Sequence, residues 1–383
     1  MHQTVREFFL HKNGPIANSA LRMSKHNAHK RIATSCLRYL ILCTMNTALQ
    51  MIPSNPESWN SEHLETYVIH LNERPLINYA LSHLQEHIHS CTEHNDLEPH
   101  VSQLRGRMTD SPTTYLVESW IASHLSEDIT KPRLSATDLK NNLLHVAAKK
   151  RFSRVVEALL IIGAETEASL HDKTALMVSA EMGDKATARV LLNLKAIVGA
   201  KNELNKTALH LAAANGDSSM VKLLLNQGAE VETADNKGQK PLHVAASNGH
   251  DTTVQQLVQI FHANTEAKDT YGRTALHVAA YNGHDAVVQL LVETLGIDKE
   301  TKDHKGRTAL HYAAAGGHEG TTKLLMKKLS ANSNDKDNKQ WTALHVAAAL
   351  GRNRVVRMLV DNLRVSKKVQ NDEGKIALDL ARF

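Results

Sequence analysis

Two kinds of hydrophobic pattern divide the chain. Across residues 139–374, short apolar runs of helical period alternate with polar turn sequences, unit after unit. A typical unit opens on a hydroxyl residue and an apolar run with paired alanines, as in Thr207-Ala-Leu-His-Leu-Ala-Ala213. Thr207, Thr274, Thr308 and Thr342 stand where a side-chain oxygen caps a starting helix. Gly183, Gly216, Gly249, Gly283, Gly317 and Gly351 follow, each able to end that helix in the left-handed conformation. A second helical period comes next, such as Val221, Leu224 and Leu225, or Val287, Leu290 and Leu291. Units close on Asp235-Asn-Lys-Gly238, Asp269-Thr-Tyr-Gly272 or Asp303-His-Lys-Gly306, sequences suited to a hairpin tip. The alanines leave no bulk, so successive helices can stack closely. No unit buries its apolar face alone, and stacking supplies the core.

The period is exact enough to align. The first run appears from Asn142, Thr174, Thr207, Lys240, Thr274, Thr308 and Thr342, with histidines at 145, 210, 243, 277, 311 and 345. Met177 takes the histidine position in the second unit and Asp379 in a last, incomplete one, so the spacings are 32, 33, 33, 34, 34, 34 and 34. Through T-x-L-H-x-A-A at this period the region resembles the ankyrin repeat, with seven full units over 139–374 and a truncated eighth over 375–383. The resemblance implies an all-α ankyrin-repeat solenoid and a structural hydrogen bond from each motif histidine to its Thr region. The even spacing of these histidines also reads as a ladder within the frame. Unit one departs from the pattern, with Asn142 for Thr and Arg151 for the turn glycine, and reads as a cap or a junction. The eighth unit keeps Ile376-Ala-Leu-Asp-Leu-Ala381 and stops, which predicts fraying or coverage by another surface.

Upstream, four helices are expected over Lys25–Met45, Ser61–Leu71, Pro75–Cys91 and Ser111–Leu125, with Gln50–Asn60 a loop. They make a small helical domain over 1–127, and 128–138, with Pro132, reads as a linker. The elements His2–Leu10, Ala28–Leu40 and Pro75–Leu81 resemble the helical region after the ATPase module of fungal NACHT–ankyrin signalling proteins of the STAND class. That family places its NTPase upstream, whereas no G-x-x-x-x-G-K-[ST] loop occurs here. The reading is a shortened relative keeping a helical tail and recognition repeats, without nucleotide-driven switching.

Composition narrows the classes. Aromatic residues are only 4%, which suits small-residue helix packing. Cys36, Cys43 and Cys91 are too few for a disulfide framework and point to a reducing compartment. Apolar runs such as 158–164 are far shorter than the ~20 residues of a bilayer span, and Arg6 and Glu7 interrupt any secretory signal. The expectation is an intracellular protein of cytoplasm or nucleus. Residues 1–40 hold seven basic residues against Glu7 alone, which has a transit-peptide flavour, but 24–43 reads better as a folded helix. Residues 41–138 hold five basic against thirteen acidic, and 139–383 hold 33 against 26. That last excess is interspersed, which argues against direct nucleic-acid binding.

Candidate chemistry is sparse. His83-Leu-Gln-Glu-His87 matches H-x-x-E-H, and His89, Cys91 and His94 follow at spacing that suits a soft divalent ion. No third protease ligand is identifiable, and the segment reads as an amphipathic helix, so we expect no metal and no cofactor. Cys36 and Cys43 sit two turns apart on an apolar face, as buried thiols do. No nucleophile with base and orienter can be assembled, so an enzyme is not expected. Lys149-Lys-Arg151 with Arg154 reads as a solvated turn or a weak nuclear-import signal, and Arg352, Arg354 and Arg357 as a basic edge attractive to an acidic partner.

A solenoid of this kind offers a concave surface of tips and first helices for a protein partner. The tip candidates are Asp235, Lys237, Asp269, Tyr271, Arg273, Asp303, Lys305, Asp337, Lys339 and Trp341. Those on first helices are Asn215, Asn248, Tyr281, Asn282 and Leu350. Tyr271, Tyr281, Trp341 and Arg273 carry most weight, because aromatics and arginine dominate binding hot spots. The expected function is a non-enzymatic adaptor with a regulatory role. One form is a transcription co-regulator that holds a DNA-binding protein without touching DNA; others are a STAND-type signalling adaptor and an inactive receptor remnant.

Overall fold

The computed structural model describes residues 135–381 except Ile162, together with Glu62, Glu65, Thr66, Val68 and Ile69. The NACHT-like elements and the His83–His94 cluster lie outside the described residues. The chain forms two compact units, the first including residues 135–182 and 186–197, the second 183–185 and 198–381.

In the first unit, α1 (Ser135–Lys149) packs on α2 (Ser153–Ile161) and α3 (Ala175–Met182), with α4 (Lys185–Asn193) following. Helix α1 begins inside the stretch read as linker and runs straight through Asn142, so this repeat has no capped start there. His145 accordingly has a carbonyl oxygen at each ring nitrogen, Asn141 O at 2.7 Å from Nδ1 and Lys173 O at 2.8 Å from Nε2. A two-stranded hairpin pairs β1 (Ser169–Leu170) with β2 (Lys173–Thr174), Ser169 opposite Thr174. Its central residues His171 and Asp172 have φ of 50° and 62°, the left-handed pair of a tight hairpin turn. Val68 is fully buried, and Glu65 pairs with Lys150 at 2.7 Å. The basic cluster is thus partly engaged, since Arg151 also donates to the Met182 carbonyl.

The second unit is a two-layer stack. First helices α5 (Ala208–Asn215), α7 (Pro241–Ser247), α9 (Ala275–Asn282), α11 (Ala309–Gly316) and α13 (Ala343–Ala349) pack in sequence as an inner layer. Second helices α6 (Ser218–Asn226), α8 (Asp251–Gln259), α10 (Asp285–Gln289), α12 (Glu319–Lys323) and α14 (Asn353–Arg357) form the outer layer. The inner layer is close because Ala212, Ala213, Ala245, Ala246, Ala279, Ala280, Ala313 and Ala314 are fully buried. Each repeat buries a leucine beside them, such as Leu209 or Leu276.

The spacing of 34 instead of 33 has a precise structural counterpart. In the shorter units the second helix closes through Ala164 N–H to Leu159 O, Ala196 to Leu191 and Ala229 to Leu224. In the longer units the closing bonds reach one residue further back: Ala263 to Leu257, Ile297 to Leu291, Ala331 to Leu325 and Val365 to Leu359. The extra residue is absorbed by widening the last turn, and π-helical turns cover Leu290–Thr294, Leu324–Lys328 and Met358–Asn362. The stacking face of each repeat is therefore preserved. The eighth unit contributes one 3₁₀ turn, Ala377–Leu380, shorter than the helix expected, with Leu378 exposed.

The motif histidines join these repeats. The backbone N–H of Thr207, Lys240, Thr274, Thr308 and Thr342 donates to Nδ1 of the histidine three residues on, at 3.1–3.2 Å. Nε2 then donates across to the next repeat, to the carbonyls of Gln239, Arg273, Arg307, Trp341 and Lys375, at 2.9–3.3 Å. An acceptor at Nδ1 and a donor at Nε2 define the neutral tautomer. Burial holds His210, His243, His277, His311 and His345 below the usual histidine range, His277 at about 4, against the opposing pull of the accepting carbonyls.

Unfolding frees these imidazoles to ordinary values near ~6.5. The unfolded chain therefore binds more protons below that pH, and stability falls as pH drops from there towards the folded values. We expect the thermal midpoint to be flat above pH ~7 and to decline between pH ~6.5 and ~4.5, before most carboxylates titrate. A midpoint constant over that window would show that the histidines are not held neutral.

Candidate protein-interaction face

The tips of the second unit are built around an acidic side chain. Asp235 Oδ1 accepts the N–H groups of Lys237 and Gln239 at 2.8 and 2.9 Å, and Asp269 and Asp303 repeat the arrangement. An Asp carboxylate bonding amides two and four residues on is a local turn device. Successive tips are then joined by backbone bonds, Thr270 N–H to Lys237 O, His304 to Tyr271 O and Asn338 to Lys305 O. This corrects one expectation: Asp235, Asp269 and Asp303 are buried, and they hold their own loops instead of offering carboxylates to a partner. Asp337 does the same for Lys339 and Trp341 while remaining half-exposed.

What the tips and inner helices do present is a row of other side chains. Lys237, Lys305 and Lys339 are exposed at the tips, and Asn215, Asn248, Asn282 and Leu350 at the ends of the inner helices. Asn282 is oriented by bonds from Nδ2 to Ser247 O and Oγ, and Asn248 by one to Val244 O. Among the described residues, Tyr271 and Tyr281 are the most exposed aromatics, at 56% and 47%.

These tyrosines border an arginine–aromatic network. Arg273 pairs with Asp269 Oδ2 at 2.6 Å, and its guanidinium lies 4.9 Å from the Tyr271 ring centre. One repeat later, Arg307 pairs with Asp303 at 2.9 Å and stacks on Tyr312 at 4.7 Å. The Tyr312 hydroxyl donates to Asp303 Oδ2 at 2.7 Å and accepts from Arg307 at 2.8 Å. Its ring meets His277 and Tyr281 edge-on, at 5.3 and 6.2 Å. Burial alone would raise the Asp303 carboxyl; the Arg307 amide, the Tyr312 hydroxyl and the guanidinium bring it below the usual range. Burial and the neighbouring carboxylate push the Tyr312 hydroxyl up, so it stays a donor.

Tyr312 and Arg307 are absent from the sequence-derived candidates. The available signal was Tyr312 occupying the place of Val278 and Val346 in an otherwise uniform motif. Trp341 occupies the place of Arg273 and Arg307, half-buried and tilted against His345, with a buried Nε1–H that has no partner.

The histidines at the starts of the outer helices were also missed. His250 Nε2 donates to Ala214 O and His284 Nε2 to Ser247 O, at 2.8 and 2.9 Å, capping the inner helix of the preceding repeat. Gly249 must be glycine for this reason as well as for its φ of +77°, because a Cβ would stand 2.6 Å from His284 Nδ1.

Among the described residues, no group of three or more His, Cys, Asp or Glu is placed to hold a metal, and no helix is long and apolar enough to cross a membrane. Removing the Tyr312 hydroxyl leaves the buried Asp303 short of a donor. We expect Tyr312→Phe to lower the unfolding free energy by about 1.5–3 kcal/mol in urea titrations. A loss below about 0.5 kcal/mol would show the hydroxyl contributes nothing to the tip.

A search of curated protein sequences returned no match. The family model described as "Ankyrin repeats (3 copies)" matches residues 144–235, 209–303 and 295–372, most of the repeat region and over half of the chain. With the capped inner helices, the two-layer stack and the histidine ladder in place, the chain belongs to the ankyrin-repeat family, a protein–protein interaction module.

Proposed function

We propose that the chain is a non-enzymatic regulatory adaptor that holds a protein partner on the tip and inner-helix face of its second unit. The observation that carries this reading is the exposure of Tyr281 and of Tyr271, the latter against Arg273, in a chain with few aromatics. Tyrosine and arginine supply large contact area and directional bonds, and they dominate interface hot spots. The amides of Lys237, Gln239, Tyr271, Arg273, Lys305 and Arg307 are already held by the tip aspartates, so the tips recognise a partner chiefly through side chains. Lys237, Lys305 and Lys339 add a rim suited to acidic groups of the partner.

In its finer form the role is that of a transcription co-regulator engaging a DNA-binding protein. The resemblance of residues 2–125 to NACHT–ankyrin tails supports a second form, a signalling adaptor. Both place the partner on the same face, and they differ in who that partner is.

The test is quantitative affinity purification of the tagged chain from its own cells, against Tyr271→Ala/Tyr281→Ala. Trp341 is left intact because its contact with His345 would mix stability with binding. We expect specific partners to be lost from the double variant by about tenfold or more, with the thermal midpoint close to that of the wild type. DNA-binding regulators among the lost proteins mark the first form, and NACHT proteins the second. Identical recoveries would remove the face assignment.

A further inference from the structure

We infer that the outer layer of the last two full repeats is a second docking surface, one that takes an acidic polypeptide segment. The repeat frame makes the argument possible, because equivalent positions can be compared at constant geometry. Along the outer helices of the second unit one position reads Lys222, Gln255, Gln289, Lys323 and Arg357, and another Ser219, Thr252, Ala286, Gly320 and Arg354. The outer helices α8 and α10 are neutral at both positions, α12 is basic at one (Lys323) and α14 at both (Arg354 and Arg357). The stack is built equally well without cations there, so the frame does not require them.

Helices α12 and α14 pack side by side, and Lys323, Lys327, Lys328, Arg354 and Arg357 are all exposed. The one ion pair they enter among the described residues is Lys328 with Glu293 at 3.3 Å. Lys323 and Lys327 are four residues apart and Arg354 and Arg357 three apart, spacings at which like charges destabilise a helix. Glu319 and Asp361, four residues from Lys323 and Arg357, offset part of this charge. But a cluster of five exposed cations that α8 and α10 lack, with a single ion pair among the described residues, is accounted for by an external anion.

The chemistry of the patch selects the occupant. Guanidinium forks fit carboxylates in bidentate pairs. A nucleic acid would bring phosphates at ~1.7 Å of helix axis per charge past exposed Glu319 and Asp361. It would also find no aromatic side chain on α12 or α14 to stack on. A membrane surface finds no apolar anchor, since none of the large exposed apolar side chains lies on these helices. Separated carboxylates on a flexible chain can meet the cations and avoid the two acids. Because the patch is on the outer layer, it is independent of the tip and inner-helix face, and two occupants can be held at once.

The experiment titrates the full chain with a fluorescent glutamate-rich peptide at low and physiological salt. The glutamine-for-glutamate peptide, a DNA duplex and phosphatidylserine vesicles are run in parallel. We expect binding of the glutamate peptide alone, weakened about tenfold or more in Lys323→Glu/Arg354→Glu/Arg357→Glu and unchanged in Tyr271→Ala/Tyr281→Ala. Should charge reversal disturb folding, Lys323→Gln/Arg354→Gln/Arg357→Gln gives the same direction with a smaller loss. Equal affinity of wild type and either triple variant overturns the proposal. So does tighter, patch-dependent binding of the duplex or the vesicles.

Discussion

The structure depends on a neutral imidazole held by backbone on both sides. In each of five consecutive repeats of the second unit, the histidine accepts the amide that starts its own helix. It then donates to a carbonyl of the following repeat, so one side chain fixes a cap and an interface together. Protonation of Nδ1 breaks the first of these bonds, because the amide N–H would then face an imidazolium N–H, while Nε2–H keeps its carbonyl. Burial enforces the neutral form, and the neutral form closes the interface that provides the burial. Thr207, Thr274, Thr308 and Thr342 strengthen the arrangement by bringing a hydroxyl within 2.8–3.0 Å of Nδ1. Lys240 shows that the amide alone suffices, since His243 keeps both backbone bonds without a hydroxyl neighbour.

With the interface fixed in this way, variation is pushed to places that do not touch it. An added residue between repeats cannot be inserted in the inner layer without breaking the histidine register. It is taken up instead at the far end of the outer helix, where one wider turn costs little. The same logic explains the second set of histidines. His250 and His284 reach under the preceding inner helix to its last carbonyls, and Gly216 and Gly249 provide the space. In the seventh repeat Arg352 takes this place and donates to Ala315 O at 2.9 Å, so the carbonyl, and not the identity of the donor, is what the fold demands.

This explains what was legible in the sequence. The T-x-L-H motif, the glycines and the period are local features, and they specified the helices, their order and the solenoid. The target of each histidine Nε2 was not legible, because a main-chain carbonyl about one repeat away leaves no mark in residue identity. Asp235, Asp269 and Asp303 were misread because an aspartate in a polar turn looks solvent-bound by composition. Their burial follows from the loop curling round the carboxylate, a fact of geometry. The 34-residue spacing announced an extra residue but not its location. Tyr312 escaped notice because its importance comes from Arg307 and Asp303 on an adjacent tip.

The face is not uniform, and its least satisfied point is instructive. At the position of Arg273 and Arg307 the seventh repeat has Trp341, so Asp337 lacks the guanidinium that Asp269 and Asp303 receive. The indole N–H is buried without a partner, a deficit that in a folded protein costs on the order of 1–3 kcal/mol. The frame tolerates it because the backbone around Trp341 is held from three sides. Its amide is bound by Asp337, and its carbonyl accepts both the Asp337 amide and His311 Nε2. A repeat protein can therefore place an imperfect side chain at its tips at low risk, since the bonds that define the stack are made by main chain and histidine. The freedom to vary Tyr271 and Tyr281 while leaving the stack intact is a direct consequence of where the histidine bonds fall.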